Sequence, residues 1–300
     1  MPAAAPVEAP IHLVTVLYNS RACLAAFAAS LGAQTHRSWR LIAVDNASAD
    51  GGADLLAGTA DARIAVLRNA KNLGFAGAAN QGIRAALAKG SDFVVLLNGD
   101  TVLPADFLAR FLAARAALRA EVIAPRIMHL HRPDEAWYAG GHLEHGWIFQ
   151  NIHEPYDPAD TTTARAVEFA SGCCLGISKT ALTKVGLFDE RFFVYWEDTD
   201  LCLRLKAAGL PIYYVNDVVI FHEGGHASGG EFSASYSRLY YRSYVQLLRK
   251  HFGPAVALRT VVRVALKELG RPEKKWRRLW AMLAAMARGL VTPPRPLSRI

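Results

Sequence analysis

Phe93-Val-Val-Leu-Leu97 runs directly into Asn98-Gly99-Asp100-Thr101. Five consecutive apolar residues have strand length, and none of them is polar enough to mark a water-facing side. The segment therefore reads as a strand buried on both faces, ending in a polar turn. The same design recurs upstream. Ile11-His-Leu-Val-Thr-Val-Leu17 is a strand-length apolar run followed by Tyr18-Asn19-Ser20, and Ser20 is predicted to cap a helix reaching about Leu31. Leu41-Ile-Ala-Val44 is a second short strand, ending in the turn-forming stretch Asp45-Asn-Ala-Ser-Ala-Asp-Gly51. A helix over Ala53–Ala60, a strand over Arg63–Leu67 and a helix over Gly77–Lys89 complete the alternation. Apolar strands alternating with helices imply an α/β fold: a Rossmann-like, mixed but mostly parallel sheet with helices on both faces. Ligands on such sheets collect at the carboxyl ends of the strands, where this sequence keeps its polar clusters.

The 300 residues, 52% of them apolar and 20% charged, can bury a sizeable core, which excludes a disordered chain and a disulfide-stapled miniprotein. Cys23, Cys173, Cys174 and Cys202 form no C-x-x-C pair and point to a reducing compartment. The opening MPAAAPVEAP lacks Lys and Arg and a long apolar run, which argues against a signal peptide. No apolar stretch approaches the ~18 residues of a membrane span.

The net charge of +8 is unevenly spread. Residues 238–300 hold 15 Lys and Arg against Glu268 and Glu273, leaving 19 basic and 24 acidic residues in the first 237. A mildly acidic body therefore carries a strongly basic tail, a split that argues against a nucleic-acid binder and for a catalytic body with a segment seeking an anionic surface. The expected organisation is a disordered N-terminus over 1–10, a catalytic domain over 11–232 (halves 11–122 and 123–232), and a basic helical extension over 233–300. Within the second half, residues 129–163 read as a loop or hairpin insert. Helices are expected at Lys179–Val185 and Asp198–Ala208, and a strand at Ile212–Phe221. The tail reads as helices over Ser233–Phe252, Val256–Leu269 and Glu273–Leu290.

Several clusters could carry chemistry, each with a plainer alternative. Asp45 could accept a hydrogen bond from a pyrimidine imide or simply close an Asx turn. Asn72-Leu-Gly-Phe-Ala-Gly77 offers glycines and open N–H groups to phosphate or sugar oxygens, or only a tight helix entry. It matches neither the P-loop nor the dinucleotide fingerprint. Asp100 could hold a hard divalent cation such as Mg²⁺, which commonly takes one or two carboxylates and completes its shell with phosphates and water. Trp196-Glu-Asp-Thr-Asp200 gathers three acids before Leu201-Cys-Leu-Arg204. A helix N-terminus accommodates them, Asp200 and Arg204 look like an ordinary i,i+4 pair, and a carboxylate at 197 or 198 could act as general base. His222, after a strand and before two glycines, could be a third metal ligand alongside Asp100 or a satisfied polar residue; His226 reads as the latter.

Order and spacing tie these clusters together. Val14-Thr-Val-Leu-Tyr-Asn-Ser20, Val44-Asp-Asn-Ala-Ser48 with Asp50-Gly51, Asn72-Leu-Gly-Phe-Ala-Gly77 with Asn80-Gln-Gly82, and Leu96-Leu-Asn-Gly-Asp-Thr101 stand in the first half. Ala170-Ser-Gly172, Val185-Gly-Leu-Phe-Asp-Glu190, Phe193-Val-Tyr-Trp-Glu-Asp-Thr-Asp-Leu-Cys-Leu-Arg204 and His222 through Ser228 stand in the second. Over residues 11 to about 252 the chain resembles the family 2 inverting glycosyltransferases of GT-A fold, most of all bacterial rhamnosyltransferases and O-antigen or cell-wall transferases.

The resemblance implies roles for named residues. Asp45 would contact the nucleotide base, and Thr15, Tyr18 and Asn19 would line the base and ribose pocket. Asn72, Gly74 and Phe75 would sit near the nucleotide. Asn98-Gly99-Asp100 takes the D-x-D position, with Asn98 in place of its first carboxylate and Asp100 on the metal, Mg²⁺ or Mn²⁺. His222 would be a further metal ligand, Asp198 the catalytic base and Glu197 its neighbour. The implied donor is a nucleotide sugar, dTDP-L-rhamnose ahead of UDP-hexoses and GDP-mannose. The implied acceptor is a glycan or polyprenyl-linked hydroxyl in cell-surface polysaccharide synthesis.

Glu273 through Arg288 mixes tryptophans and apolar residues with Lys274, Lys275, Arg277 and Arg278, which suits a helix lying on an anionic membrane surface. Packing on the body or in a homodimer is the alternative. The expected location is cytoplasmic, peripheral at the inner face of the plasma membrane. A nucleotidyltransferase would want a Gly-rich basic loop after the first strand, where Tyr18-Asn19-Ser20 stands.

Overall fold

The computed structural model describes residues 10–145, 149–224, 234–269 and 276–291. The expectations for residues 1–9, for His226, for Lys274 and Lys275, and for the side chains of 276–281 lie outside them.

The first half builds β1 (Ile11–Leu17), α1 (Arg21–Gly32), β2 (Trp39–Asp45), α2 (Gly52–Ala57), β3 (Ile64–Arg68), α3 (Gly74–Ala88), β4 (Phe93–Leu97), β5 (Thr101–Val102) and α4 (Phe107–Leu118). The second half adds β6 (Val122–His129), β7 (Arg132–Tyr138), β8 (Gly141–His145), β9 (Phe149–His153), β10 (Ala164–Val167), β11 (Cys174–Ser178), α5 (Lys179–Val185), α6 (Glu197–Ala207) and β12 (Ile212–His222). Three further helices follow: α7 (Ala234–Phe252), α8 (Pro254–Leu269) and α9 (Trp276–Val291).

The main path through the sheet runs β10-β12-β6-β11-β4-β1-β2-β3, and β8 pairs with β9 in a separate hairpin. β3, β2, β1 and β4 are mutually parallel, whereas β11 is antiparallel to both β4 and β6. β1 and β4 are buried as the continuous apolar runs require, Val16 alone being partly exposed. Since the chain leaves β1 toward β2 and β3 on one side and returns as β4 on the other, the order reverses between β1 and β4. The crevice this leaves at their carboxyl ends is where a ligand finds open backbone groups. α3 lies so close on β1 that a side chain at Gly82 would come 2.4 Å from Val14 Cγ1.

Two local expectations are corrected. Ser20 stands at the N-cap of α1, but its hydroxyl makes no cap bond. The Arg21 N–H instead donates to Asp50 Oδ2 at 2.7 Å, so a carboxylate from the β2–α2 loop caps the helix and ties two strand ends together. The acidic helix also begins one residue earlier than expected, so Glu197 and Asp198 occupy its first turn rather than the loop before it. The insert over 129–163 is a hairpin region built from β7, β8 and β9.

The tail is an integral part of the body over its described residues. Tyr244, Val245, Leu247 and Leu248 of α7 are buried, as are Met282, Ala285 and Met286 of α9. At Gly289 an added side chain would lie 2.9 Å from the Arg242 carbonyl, so α9 packs directly on α7. The reading in which this part of α9 packs on the body is the one these residues support. No helix among the described residues is long and apolar enough to cross a membrane.

Candidate active site

The crevice is floored by loops that hold one another. Asn19, at φ +49°, donates its N–H to Ser48 Oγ (3.1 Å), and its Oδ1 accepts from the Ala49 N–H (2.9 Å). Asp45 is buried at the end of β2, where its Oδ1 accepts from the Ser48 N–H at 3.1 Å, so the turn expected there is formed. Asn46 was not singled out from the sequence, yet it organises the third loop. Its Nδ2 donates to Asn72 Oδ1 (2.8 Å) and the Gly74 carbonyl (3.0 Å), and its Oδ1 accepts from the Leu73 N–H (2.9 Å). Asn72 Oδ1 also accepts from the Gly74 N–H at 2.8 Å, so its amide oxygen serves the loop. Thr15 is wholly buried and its hydroxyl has no hydrogen-bond partner among the described residues, while Tyr18, three residues on, is exposed. These residues share one mouth of the sheet at the ends of β1 and β2.

The second half closes on this floor at Gly74. The Phe75 N–H donates to the Phe193 carbonyl at 2.6 Å, and a Cβ on Gly74 would lie 2.3 Å from that same oxygen. Gly74 also sits at φ +78°, where an L side chain costs about 1–2 kcal/mol from the backbone alone. Gly74→Ala should therefore push the Phe193 loop away. A fall in melting temperature and weaker nucleotide binding, read by thermal shift and calorimetry, are the expected outcome.

Asp198, in the first turn of α6, packs against Gly172. Its Oδ2 accepts from the Gly172 N–H (3.2 Å) and its Oδ1 from the Thr199 N–H (2.7 Å). A Cβ on Gly172 would stand 3.6 Å from Asp198 Cβ and 3.7 Å from the Phe75 ring, so glycine lets these three meet. One residue on, the Cys173 carbonyl accepts from the Asn98 N–H at 2.9 Å, joining this segment to the end of β4. Burial raises the Asp198 carboxyl above the usual carboxylate range, opposed by its two backbone N–H bonds. Glu197 is driven further up, by burial and then by Asp198, and its buried Oε2 has no hydrogen-bond partner among the described residues. Of the two, Glu197 is pushed up the more strongly, so Asp198 ionises the more readily.

Asp100 and His222 lie close to Cys173 of the same segment. β5 pairs with β12 so that Thr101 lies opposite His222, and His222 Nε2 stands 3.2 Å from Asp100 Oδ1. The contact is short but not aligned, and neither ring nitrogen of this 6% exposed histidine has a hydrogen-bond partner among the described residues. Burial opposes protonation of His222, while the adjacent Asp100 carboxylate favours it and raises the pKa. Burial keeps Cys173 a thiol, so Asp100 is the charge that matters. The Trp137 ring meets the His222 ring edge-on at 4.7 Å.

An imidazole facing a carboxylate at 3.2 Å is a pair that a divalent cation could take, because two protein ligands suffice when diphosphate oxygens and water complete the shell. No group of three or more His, Cys, Asp or Glu suited to a metal exists among the described residues, which agrees with Asn98 standing where a second carboxylate would be.

Asp200 turns the opposite way. It is fully buried and bonded to Arg204 Nε (2.9 Å), Lys250 Nζ (2.6 Å) and His251 Nε2 (2.7 Å). Lys250 also reaches Asp189 Oδ2 at 2.8 Å, and Arg191 pairs with the same carboxylate. The i,i+4 pair expected from the sequence is thus one edge of a buried network that pins α7 beneath the first turn of α6. Asn80 is a second pin between the halves: its Nδ2 donates to the Phe188 carbonyl (2.9 Å) and its Oδ1 accepts from the Phe188 N–H (3.0 Å). The hairpin insert contributes Asn151, which donates to Thr199 Oγ1 at 3.1 Å, and His153, whose Nδ1 lies 2.7 Å from the Trp137 carbonyl.

Known proteins resemble this chain in sequence and in fold. The model of Glycosyl transferase family 2 matches residues 13–186. An N-acetylglucosaminyl-diphospho-decaprenol L-rhamnosyltransferase of Mycobacterium tuberculosis is 30% identical over 267 residues, 81% of this chain and 85% of that protein. A dTDP-rhamnosyl transferase, RfbF of Shigella flexneri, is 25% identical over 158 residues, 53% of this chain and 51% of that protein. Among solved structures, GalNAc-T7 with UDP, GalNAc and Mn²⁺ superposes with a TM-score of 0.64 at 16% identity, covering 82% of this chain and 48% of that one. S. aureus TarS superposes with a TM-score of 0.59 at 12% identity, covering 94% and 81%. The two structures establish the likeness of fold.

Proposed function

The chain belongs to glycosyl transferase family 2, and from that premise we propose that it is an inverting transferase moving a sugar from a nucleoside diphosphate donor to a hydroxyl on a glycan or lipid-linked acceptor in cell-surface polysaccharide synthesis. dTDP-L-rhamnose is the favoured donor, a reading supported by the names of the two relatives. UDP-hexoses and GDP-mannose are the alternatives. The observation that carries the proposal is the proximity of both acidic groups to one short segment, Asp198 at Gly172 and Asp100 with His222 at Cys173.

In the proposed mechanism the base and ribose lie over Thr15, Tyr18, Asn19 and Asp45, with the diphosphate passing Asn72, Gly74 and Phe75 toward Asn98 and Asp100. Asp100 and His222 would hold Mg²⁺ or Mn²⁺. Such a cation neutralises the charge that gathers on a departing diphosphate. Asp198 accepts the proton of the acceptor hydroxyl while that oxygen bonds to the anomeric carbon from the face opposite the phosphate. The anomeric C–O bond breaks, its electron pair leaves with the diphosphate, and one displacement inverts the configuration. Glu197, pushed up the more strongly, leaves Asp198 as the acceptor of that proton.

A thermal-shift screen of dTDP-rhamnose, UDP-hexoses and GDP-mannose, with and without Mg²⁺ or Mn²⁺, tests the donor reading. Stabilisation by dTDP-rhamnose above the others is expected, and no response to any nucleotide sugar would overturn the proposal. In the same assay Asp100→Ala should abolish the extra stabilisation that the divalent cation adds. A cation response equal to that of the unmodified protein would remove Asp100 from that role.

A further inference from the structure

Beyond the crevice, α8 carries a feature that neither the fold nor the transfer reaction uses. Leu258, Val262 and Leu266 are 55%, 51% and 60% exposed, among the most exposed large apolar side chains described. Their spacing of four residues places them in one row along a single helix face, spanning about 12 Å. The opposite face is spent on the body: Ala257, Thr260 and Val264 are buried. α8 is therefore amphipathic in both directions, with an inner face packed and an outer face apolar and bare. Single exposed apolar residues are ordinary, but a continuous row marks a docking face.

Charge selects the occupant. Arg259, exposed, borders the row between Leu258 and Val262. By sequence, the segment that contains α8, residues 238–300, holds 15 basic residues and two acids. A second copy of this chain would have to bring the same excess of positive charge against itself across a self-complementary contact, which is unfavourable. Three side chains also fall well short of the roughly 800 Å² per partner of a stable protein interface. An anionic lipid surface answers both features: the apolar row enters the acyl boundary and the cations meet the headgroups. With 16 residues, α8 lies on a bilayer and does not span it.

We infer that the outer face of α8, through Leu258, Val262 and Leu266 with Arg259 beside them, seats the protein on an anionic bilayer surface. The inference deepens the proposed function and rests on its lipid-linked acceptor, whose sugar end would then meet the crevice from the membrane side. On α9, Met282, Ala285 and Met286 are buried, whereas the outer row of α8 is exposed.

The test is co-sedimentation of the full chain with phosphatidylcholine vesicles and with phosphatidylcholine–phosphatidylglycerol vesicles. Binding to the anionic vesicles alone, weakening with salt, is expected. A triple variant, Leu258→Ser, Val262→Ser and Leu266→Ser, should lose at least about tenfold in vesicle affinity, about 1.4 kcal/mol. Its melting temperature and its transfer to a water-soluble acceptor should stay unchanged. Arg259→Glu, which leaves the apolar row intact, should weaken binding to anionic vesicles and serves if the triple variant does not fold. The inference is overturned if the unmodified protein ignores anionic vesicles, if both variants bind them as well as it does, or if the triple variant turns a dimer into a monomer. Vesicle binding without turnover of any nucleotide sugar would sink the donor proposal and leave the α8 assignment standing; turnover without vesicle binding would do the reverse.

Discussion

Asp198→Asn should keep donor affinity within about twofold and lower turnover by about 10³, within the 10²–10⁴ that a positioned general base contributes. The amide replaces one oxygen without changing volume. The carboxamide oxygen can still accept from the Gly172 or Thr199 N–H, so the local backbone should hold. What disappears is the capacity to take the acceptor proton. Calorimetry with the nucleotide and steady-state kinetics on the same preparation separate the two effects. Turnover near that of the unmodified enzyme would remove Asp198 as base.

The pH profile gives an independent reading. Burial raises the Asp198 carboxyl, so the folded protein holds that proton to higher pH than an exposed aspartate would. Only the ionised form can act as base. The acid limb of kcat/KM should therefore lie above the ordinary aspartate range near 4, with activity rising as pH climbs through it. Glu197, raised further, adds a second proton to the coupled pair, and the observed limb belongs to both.

Asp200→Ala is expected to have the largest effect on stability, about 3–5 kcal/mol, the cost of removing one partner from a buried ion pair. The carboxylate is fully buried and compensates Arg204, Lys250 and His251. Its loss leaves Lys250 with Asp189 alone and removes the anchor of α7 under α6. Chemical denaturation measures the loss, and a change under 1 kcal/mol would show that the network is dispensable. The sign with pH follows from the depressed carboxyl. Burial opposes ionisation, but His251, Arg204 and Lys250 outweigh it and hold Asp200 well below its usual value. Its contribution is fully present above the unfolded pKa near 4 and is lost as pH falls below that value. The stability difference between the unmodified protein and Asp200→Ala should be flat from pH 5 upward and shrink in acid.

The four strands β1 to β4 were legible because each is a short apolar run ended by turn residues, a pattern that depends on neighbours along the chain. The polar clusters at their ends were legible for the same reason. Asp45, Asn72, Gly74, Asn98 and Asp100 stand where a parallel sheet opens its carboxyl edge, and the structure brings them to that edge. Asn46 lay in plain view beside Asp45, and its position in a turn of Asx type is a signal that could have been read. Its four partners, drawn from another loop, could not be.

Glu197, Asp198 and Asp200 show where local pattern stops. Successive helix positions turn by about 100°, so Asp198 and Asp200 must face different ways. Nothing within those residues says which way is inward. The answer comes from Lys250 and His251, some fifty positions later, whose charges claim Asp200 for the interior and leave Asp198 to Gly172. The same holds for Asp50 capping α1 in place of Ser20, and for Gly74 lying under the Phe193 carbonyl. Element type, strand ends and the identity of the acidic residues follow from the chain's own order, since periodicity and turn chemistry act over a few residues. The orientation of each carboxylate, the spent face of α9 and the bare face of α8 follow from packing, since burial and ion pairing are contests among groups far apart in sequence.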